Sequence, residues 1–374
     1  MTNQLIPVDL LSSSRKILFV AHLALGDFTY MQNCFRAFRQ AYPHIQMHLW
    51  VDELRRTSDP DKWEHLKKYS LYDWVNGCGL FEKVYTQTYS PALYQQSIAE
   101  ARSEHYPIVV SFAVLHRHEY VKLMRELSPE GFIVGQKKRV RLLDLRKHLI
   151  YRKLDAHIPA YKITRQHQSG AESVPHISAI YADWFQQLFN LNISEQERLP
   201  FVTIPQQWQN WAQQQLINWH FNQDVPTVFL NGFSKSPERS WSLERVMELA
   251  TAMQQTDQWK QANFIINVIP EALGEARTRF GGDAQSRIQL FSADENFYQL
   301  PAMLGRCDLI VSVETAIMHL ANAVHVPVIA LMRQTSPEWT PINKEISTVI
   351  KTGARKAWVE EISVQQVLEV LPAI

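Results

Sequence analysis

The chain has only three cysteines, Cys34, Cys78 and Cys307, widely separated and odd in number. That pattern supports neither a disulfide framework nor a zinc site of paired cysteines, and it fits a reducing cytosol. Charge of one sign is lacking too: 38 Lys and Arg stand against 37 Asp and Glu, a net charge of +1. A polyanion-binding tail is thereby excluded, and any attraction to anions has to come from a local patch. No apolar run approaches the roughly 18 residues that cross a bilayer. Ile17 to Ala21 and Pro107 to Leu115 are strand-sized. The opening MTNQLIPVDLLSSSRK has no basic start followed by a long apolar segment, so a cytoplasmic location is expected. There is no G-x-G-x-x-G, no Walker lysine loop, no G-x-S-x-G elbow and no H-E-x-x-H, which removes nicotinamide, P-loop and serine-hydrolase chemistry.

What is present is a chain of 374 residues, 46% hydrophobic, long enough for two domains with real cores. KILFVAHLALGDF reads as a strand, a short turn at Gly26-Asp27 and a helix. IQMHLWVDE, EKVYTQ and YPIVVSFAVL follow as strands separated by helix-like stretches. The alternation weakens between Tyr161 and Phe201, where ITRQHQSGAESVPH reads as loop. After a Gln- and Trp-rich helix it restarts with PTVFLNGF, NFIINVI, RIQLFS, DLIVSV and VPVIALM. Strands that alternate with helices and lack hairpin turns argue for parallel sheets covered on both faces. The expected architecture is α/β, two Rossmann-like doubly wound domains, 1–195 and 196–374, facing across a cleft. In such folds ligands sit beyond the carboxyl ends of the strands.

Three loops after strands hold the informative residues. In Leu25-Gly26-Asp27 the acid after a small residue is either a helix cap or a general base. In NGFSKSPERSW, Gly232 permits close backbone approach, Ser234 and Ser236 offer hydroxyls, and Lys235 and Arg239 supply charge suited to a phosphate, unless the loop is simply a solvated turn. In SVETAIMHLANA the amides of Thr315, Ala316 and Ile317 open a helix whose N-terminus favours a diphosphate. Glu314 suits sugar hydroxyls better than that anion, and the bland alternative has Thr315 capping the helix and His319 packing on a neighbour. Asp59-Pro60-Asp61 reads as a helix start rather than a metal pair. His116 and His118 lack a third ligand, so no metal site is expected.

The segment QKKRVRLLDLRKHLIYRK, 136–153, carries eight Lys and Arg against one acid, interleaved with aliphatic residues. It suits an anionic membrane surface or a phosphorylated lipid, with a solvated basic helix as the alternative. No nucleic-acid-reading motif accompanies it, so nucleic acid is not an expected partner.

KILFVAHLALGD, NGFSKSPERSW and above all DLIVSVETAIMHLANAVHVPVIALMRQTSPEW resemble the bacterial heptosyltransferases of glycosyltransferase family 9, which build the inner core of lipopolysaccharide. The resemblance covers nearly the whole chain and is loose over 105–200. It implies the GT-B glycosyltransferase fold and metal-independent inverting transfer, with a nucleotide sugar, ADP-heptose first, as co-substrate and no other cofactor. The acceptor would be a lipid-linked or phosphorylated glycan such as a lipopolysaccharide or lipooligosaccharide core, reached by peripheral contact with the inner face of the membrane.

Carried over by position, Asp27 matches the family's base. Ser234, Arg239, Thr315 and His319 match its donor site, with Lys235 a nearby addition; Gly232, Glu314 and Ala316 are assigned to the same donor site. Acceptor contact is assigned to Gly26, His116 and Arg117 and to the basic residues Lys137, Lys138, Arg139 and Arg141. The chain departs from the family with Glu314-Thr315-Ala316 for Asp-Thr-Gly, Arg333-Gln334 for Gly-Pro, and Ser240 for an arginine. Two alternatives follow from these departures: a transferase using a different nucleotide sugar, or a non-catalytic nucleotide-sugar- or lipid-binding relative. An epimerase on the same architecture is a third.

Overall fold

The structure, a computed structural model, describes residues 4–140, 143–159, 174–280 and 286–373. It divides into two compact units, Met1–Arg198 and Leu199–Ile374. The first contains strands β1 (Lys16–Ala21), β2 (Gln46–Val51), β3 (Lys83–Tyr85), β4 (Ile108–Ser111), β5 (Phe132–Lys137) and β6 (Ala156–Pro159). The second contains β7 (Thr227–Asn231), β8 (Asn263–Asn267), β9 (Ile288–Phe291), β10 (Leu309–Val313), β11 (Val328–Met332) and β12 (Ser347–Lys351). The sheet orders are β3-β2-β1-β4-β5-β6 and β12-β11-β10-β7-β8-β9. All ten neighbouring strand pairs are parallel. Counted within its own unit, each sheet has the doubly wound order 3-2-1-4-5-6, and strand order reverses beside its first strand. These switch points lie between β1 and β4 in the first unit and between β7 and β10 in the second.

The central strands are legible as apolar runs because both of their faces are covered. β7, β10 and β11 are buried from end to end. In the first unit, Leu18 and Val20 face a cluster with Val109, Val121, Met124 and Ile133. Phe19, on the opposite face of β1, meets Phe35 at 5.0 Å and Phe38 at 5.5 Å from the helix Leu25–Ala41. It also meets Phe185 and Phe189, both at 6.2 Å, from the helix Ile177–Phe189. Edge-to-face and offset contacts of this kind each add about 0.5–1.5 kcal/mol beyond area burial. They fix the two helices against each other on one face of the sheet.

Several expectations are corrected. Strands β5, β6 and β12 were not anticipated, and residues 136–153 do not form one basic helix. Gln136 and Lys137 end β5, and among the described residues of this segment only Leu145–Tyr151 is helical, capped by Asp144. A strand end, a connection and a two-turn helix share one charge pattern, which hid the strand. Arg141 lies outside the described residues, as does most of the polar stretch from Ile163 to His176. Asp59 accepts the Asp61 amide in front of the short helix Pro60–Lys62, the helix start that the sequence implies. Among the described residues no helix is long and apolar enough to cross a membrane.

Candidate active site

In the first unit the helix after β1 begins one residue past its N-cap, Ala24, so Leu25, Gly26 and Asp27 form its first turn rather than a turn before it. Asp27 occupies the third helical position. Its Oδ2 accepts the Ala24 amide at 2.9 Å. Because Ala24 has no side-chain oxygen to return, this is one half of a capping box. Oδ1 accepts the Tyr181 hydroxyl at 2.7 Å. The cap reading is therefore correct for one oxygen and does not use up the carboxylate, since each oxygen keeps a further lone pair. Asp27 retains some exposure, yet burial raises its pKa, against the pull of Tyr181, the Ala24 amide and His22.

Other groups converge there. His22, first residue after β1, interacts electrostatically with Asp27, Asp52, His116 and Arg117, and burial lowers its pKa. Its Nδ1 is buried without a hydrogen-bond partner among the described residues. Asp52, first residue after β2, accepts Arg56 at 2.5 Å and the Tyr120 hydroxyl at 2.8 Å. The Arg56 guanidinium lies 3.4 Å above the centre of the Tyr94 ring. His116 is exposed, with a left-handed backbone at φ 45°, and introduces the helix Arg117–Leu127 after β4. Arg117 donates Nε to Gln136 Oε1 at 3.1 Å, linking that helix to β5. His118 instead faces Glu119 at 3.0 Å. Lys137, Lys138 and Arg139 are exposed at the end of β5. Asp27, His116 and Arg117 thus flank the first switch point, whereas the lysine run stands one strand further out. His22, Asp52 and Tyr181 escaped the sequence reading; the acid closing IQMHLWVD was the available signal for Asp52.

In the second unit, β7 ends at Asn231. Its side-chain amide donates to Ser312 Oγ on β10 at 3.1 Å and to the Phe233 carbonyl at 3.2 Å, and it reaches Thr315 Oγ1 at 3.4 Å. Its carbonyl accepts Asn267 Nδ2 from the end of β8 at 2.9 Å. One buried side chain therefore ties three strand ends together. Gly232 serves a different purpose from the expected ligand approach. A Cβ there would lie 2.5 Å from Val246 Cγ2 and 2.9 Å from the Trp241 carbonyl, so the room is taken by the protein itself.

Ser240, where the family has arginine, fastens the loop. Its hydroxyl accepts the Ser234 amide at 3.1 Å and lies 3.2 Å and 3.1 Å from the carbonyls of Ser234 and Ser236. Ser234 is buried and Lys235 exposed. Arg239 ends the single turn Pro237–Arg239, and its guanidinium stands 3.8 Å from Glu314 Oε1.

Thr315 caps the helix Ala316–Ala323 by accepting the Ile317 amide at 3.2 Å, so of the three amides expected to meet an anion, that of Ile317 is committed to the cap. Glu314 is 5% exposed. Its Oε2 accepts the Arg333 backbone amide at 3.2 Å. Burial raises the Glu314 pKa, opposed by that amide and by Arg239 and Arg333. Arg333 also donates to the Ala357 carbonyl at 3.1 Å and approaches Glu238 at 3.5 Å. Glu338 Oε2 is buried without a hydrogen-bond partner among the described residues. His319 is buried, its ring 5.8 Å from that of Trp339. Its packing matches the bland alternative. Gly232, Ser234, Arg239, Glu314, Thr315 and Ala316 thus flank the second switch point; Arg333 and Glu338, from the loop after β11, were missed as members of this cluster.

The model of glycosyltransferase family 9 (heptosyltransferase) matches residues 165–367, more than half of the chain. A comparison with curated protein sequences returned no match. Among solved structures, a glycosyl transferase family 9 protein from Veillonella parvula is similar with a TM-score of 0.69 at 15% identity, over 95% of each chain. E. coli ADP-heptose lps heptosyltransferase II follows with a TM-score of 0.64 at 15% identity, over 95% of this chain and 96% of that one. E. coli heptosyltransferase WaaC with ADP has a TM-score of 0.60 at 15% identity, over 95% and 96%. At this identity the structures speak for the fold alone, which is GT-B. The chain belongs to glycosyltransferase family 9, the heptosyltransferase family, and is a glycosyltransferase.

Proposed function

We propose that the protein transfers heptose from ADP-heptose to a lipopolysaccharide or lipooligosaccharide core, with inversion and without a metal. The observation that carries this reading is the position of the two residue sets: an acid held at the switch point of the first unit, and a cation with a capped helix start at that of the second. The acceptor hydroxyl attacks the anomeric carbon, the bond from that carbon to the diphosphate breaks with its electron pair leaving on the diphosphate, and Asp27 takes the hydroxyl proton. Arg239 and the N-terminus of the helix Ala316–Ala323 offset the charge that develops on the leaving group. Glu314 accepts hydrogen bonds from donor hydroxyls, with Arg333 holding its other edge.

The acceptor side of the proposal includes a lipid surface. Leu143, Leu145 and Leu149 are 95%, 70% and 61% exposed. Leu145 and Leu149 are four residues apart on one helical face, close in sequence to Lys137, Lys138, Arg139 and Arg146. Apolar insertion with basic residues around it suits an anionic membrane on the cytoplasmic side. Binding to anionic vesicles that weakens with added salt would support it; absent or salt-insensitive binding would remove it.

The donor is tested with a panel of ADP- and UDP-sugars by thermal shift, followed by mass analysis of a de-acylated core acceptor. A ligand that binds only the folded protein raises its melting temperature. ADP-heptose is expected to give the largest shift and a product heavier by one heptose. A larger shift with another nucleotide sugar would replace the donor, and tight binding with no product from any acceptor would favour a non-catalytic role.

A further inference from the structure

We propose that Tyr181 is a positioning residue for the transfer, holding the Asp27 carboxylate by its Oδ1 atom; this rests on the assignment of Asp27 as base. Tyr181 belongs to the helix Ile177–Phe189, 154 residues along the chain from Asp27, and its hydroxyl donates to Oδ1 at 2.7 Å. That length is a full hydrogen bond between a hydroxyl and a carboxyl oxygen. The ring is 4% exposed and packs 5.2 Å from Trp184. Its helix is locked to the one carrying Asp27 through Phe185 and Phe35, 5.7 Å apart. The donor is therefore rigidly placed. With the Ala24 amide on Oδ2, the carboxylate is held at both oxygens and cannot rotate freely.

Burial favours the neutral acid, and a neutral Asp27 cannot accept a proton; the Tyr181 hydroxyl opposes this by bonding to the charged form. Tyr181 itself is raised well above the ordinary phenol value by burial and by Asp27, so it remains a donor throughout the working range. The other groups facing the pair are His22, Tyr69 and Cys34. The Tyr69 hydroxyl is engaged with the Leu23 carbonyl at 3.0 Å. Burial raises the pKa of both Tyr69 and Cys34, which stay neutral. His22, whose pKa burial lowers, is the other titrating group that acts on Asp27.

The test is Tyr181→Phe in the full chain, read in two ways. With carboxyl-13C aspartate labelling, and the Asp27 signal assigned by its loss in Asp27→Asn, the midpoint of Asp27 titration should rise by about one pH unit in Tyr181→Phe, the order expected for losing one hydrogen bond to a charged group. This readout needs no substrate. With ADP-heptose and a de-acylated core acceptor, kcat should fall about 10-fold or more with the donor KM unchanged, and the acid limb of the pH profile should move up in parallel. In the Asp27→Asn background Tyr181→Phe should cost nothing further. Site-specific 3-fluorotyrosine at 181, a stronger donor of nearly the same shape, should move the titration downward; it serves as well if Tyr181→Phe does not fold.

An unmoved titration midpoint with full kcat in Tyr181→Phe would overturn the role of Tyr181 while leaving Asp27 as base. Full transfer by Asp27→Asn would overturn the base assignment and this inference with it.

Discussion

Asn231 at the end of β7 donates its side-chain amide to Ser312 Oγ on β10, 3.1 Å away, across the point where strand order reverses in the second sheet. The same amide reaches Thr315 Oγ1 at 3.4 Å, at the cap of the helix Ala316–Ala323. The geometry of the loops after β7 and β10 thus depends on a buried polar side chain. Asn231→Ala leaves Asn267 Nδ2 and Ser312 Oγ short of a partner, and a buried group left unsatisfied costs about 1–3 kcal/mol. Denaturant unfolding should show that loss, and the donor KM should rise with it. Unchanged stability and KM would mean that the strand ends are held by other contacts.

Gly232→Ala separates packing from ligand binding. The added carbon meets Val246 Cγ2 at 2.5 Å and the Trp241 carbonyl at 2.9 Å, and the latter is backbone that yields little. Overpacking of this kind costs about 1–3 kcal/mol, visible in thermal or urea unfolding without any ligand. A variant as stable as the parent but weak in donor binding would reverse the conclusion that the protein itself fills that space.

Glu314→Gln keeps an acceptor for the Arg333 amide and removes the charge. Since burial raises the pKa of Glu314 in the folded chain, its ionisation opposes folding, and stability falls as pH rises from the ordinary value of 4.5 through the raised one. The variant should therefore be at least as stable as the parent at pH 7, with a flatter pH dependence above 4.5. If Glu314 binds donor hydroxyls equally in ground and transition states, donor KM rises by about 10-fold and kcat stays the same. An unchanged KM would remove Glu314 from the donor site.

Away from both sites, Glu104 joins the start of β1 to β3. It pairs with Lys16 and, at 3.0 Å, with Lys83, which also meets Glu100 at 2.7 Å. These lysines hold the Glu104 carboxyl down at about 2 from an ordinary 4.5. A depressed carboxyl contributes stability above its unfolded pKa and loses it as pH falls through the folded one. Because the lysines and Glu104 are partly exposed, Glu104→Gln should cost only about 1 kcal/mol at pH 7. The difference between variant and parent should shrink as pH falls from 4.5 towards about 2. A difference that persists unchanged in acid would point to packing rather than charge.

Much of this architecture is legible in the sequence because parallel strands covered on both faces are written as near-continuous apolar runs. β1, β2, β4, β7, β8, β10 and β11 read that way. β5 does not, because its apolar FIV passes through Gly135 into the lysine run, and edge strand β12 is only partly buried. The loops after β1, β7 and β10 stand out because their chemistry survives as local pattern: Glu314 and Thr315 directly follow β10, while Asp27 lies in the first turn of the helix after β1 and Arg239 ends a single turn after β7. Tyr181 left no such trace. In ISAIYADWFQQLF it is one aromatic among several on a buried helix, and nothing local distinguishes the ring whose hydroxyl meets an acid. Ser240 illustrates the reverse case. As a departure from the family it pointed to altered donor choice, whereas its hydroxyl bridges the backbone of its own loop.

Asp27 carries the central claim, and the rate of sugar transfer by Asp27→Ala and Asp27→Asn tests it most directly. Asp27→Asn keeps an acceptor for the Tyr181 hydroxyl and should stay folded with donor binding intact, while Asp27→Ala leaves that buried hydroxyl and the Ala24 amide without their acceptor and should lose about 1–3 kcal/mol of stability. With ADP-heptose and a core acceptor, transfer should fall by about 100- to 10,000-fold, the range for losing a general base. A folded Asp27→Ala protein that transfers sugar at close to the parent rate would contradict the account.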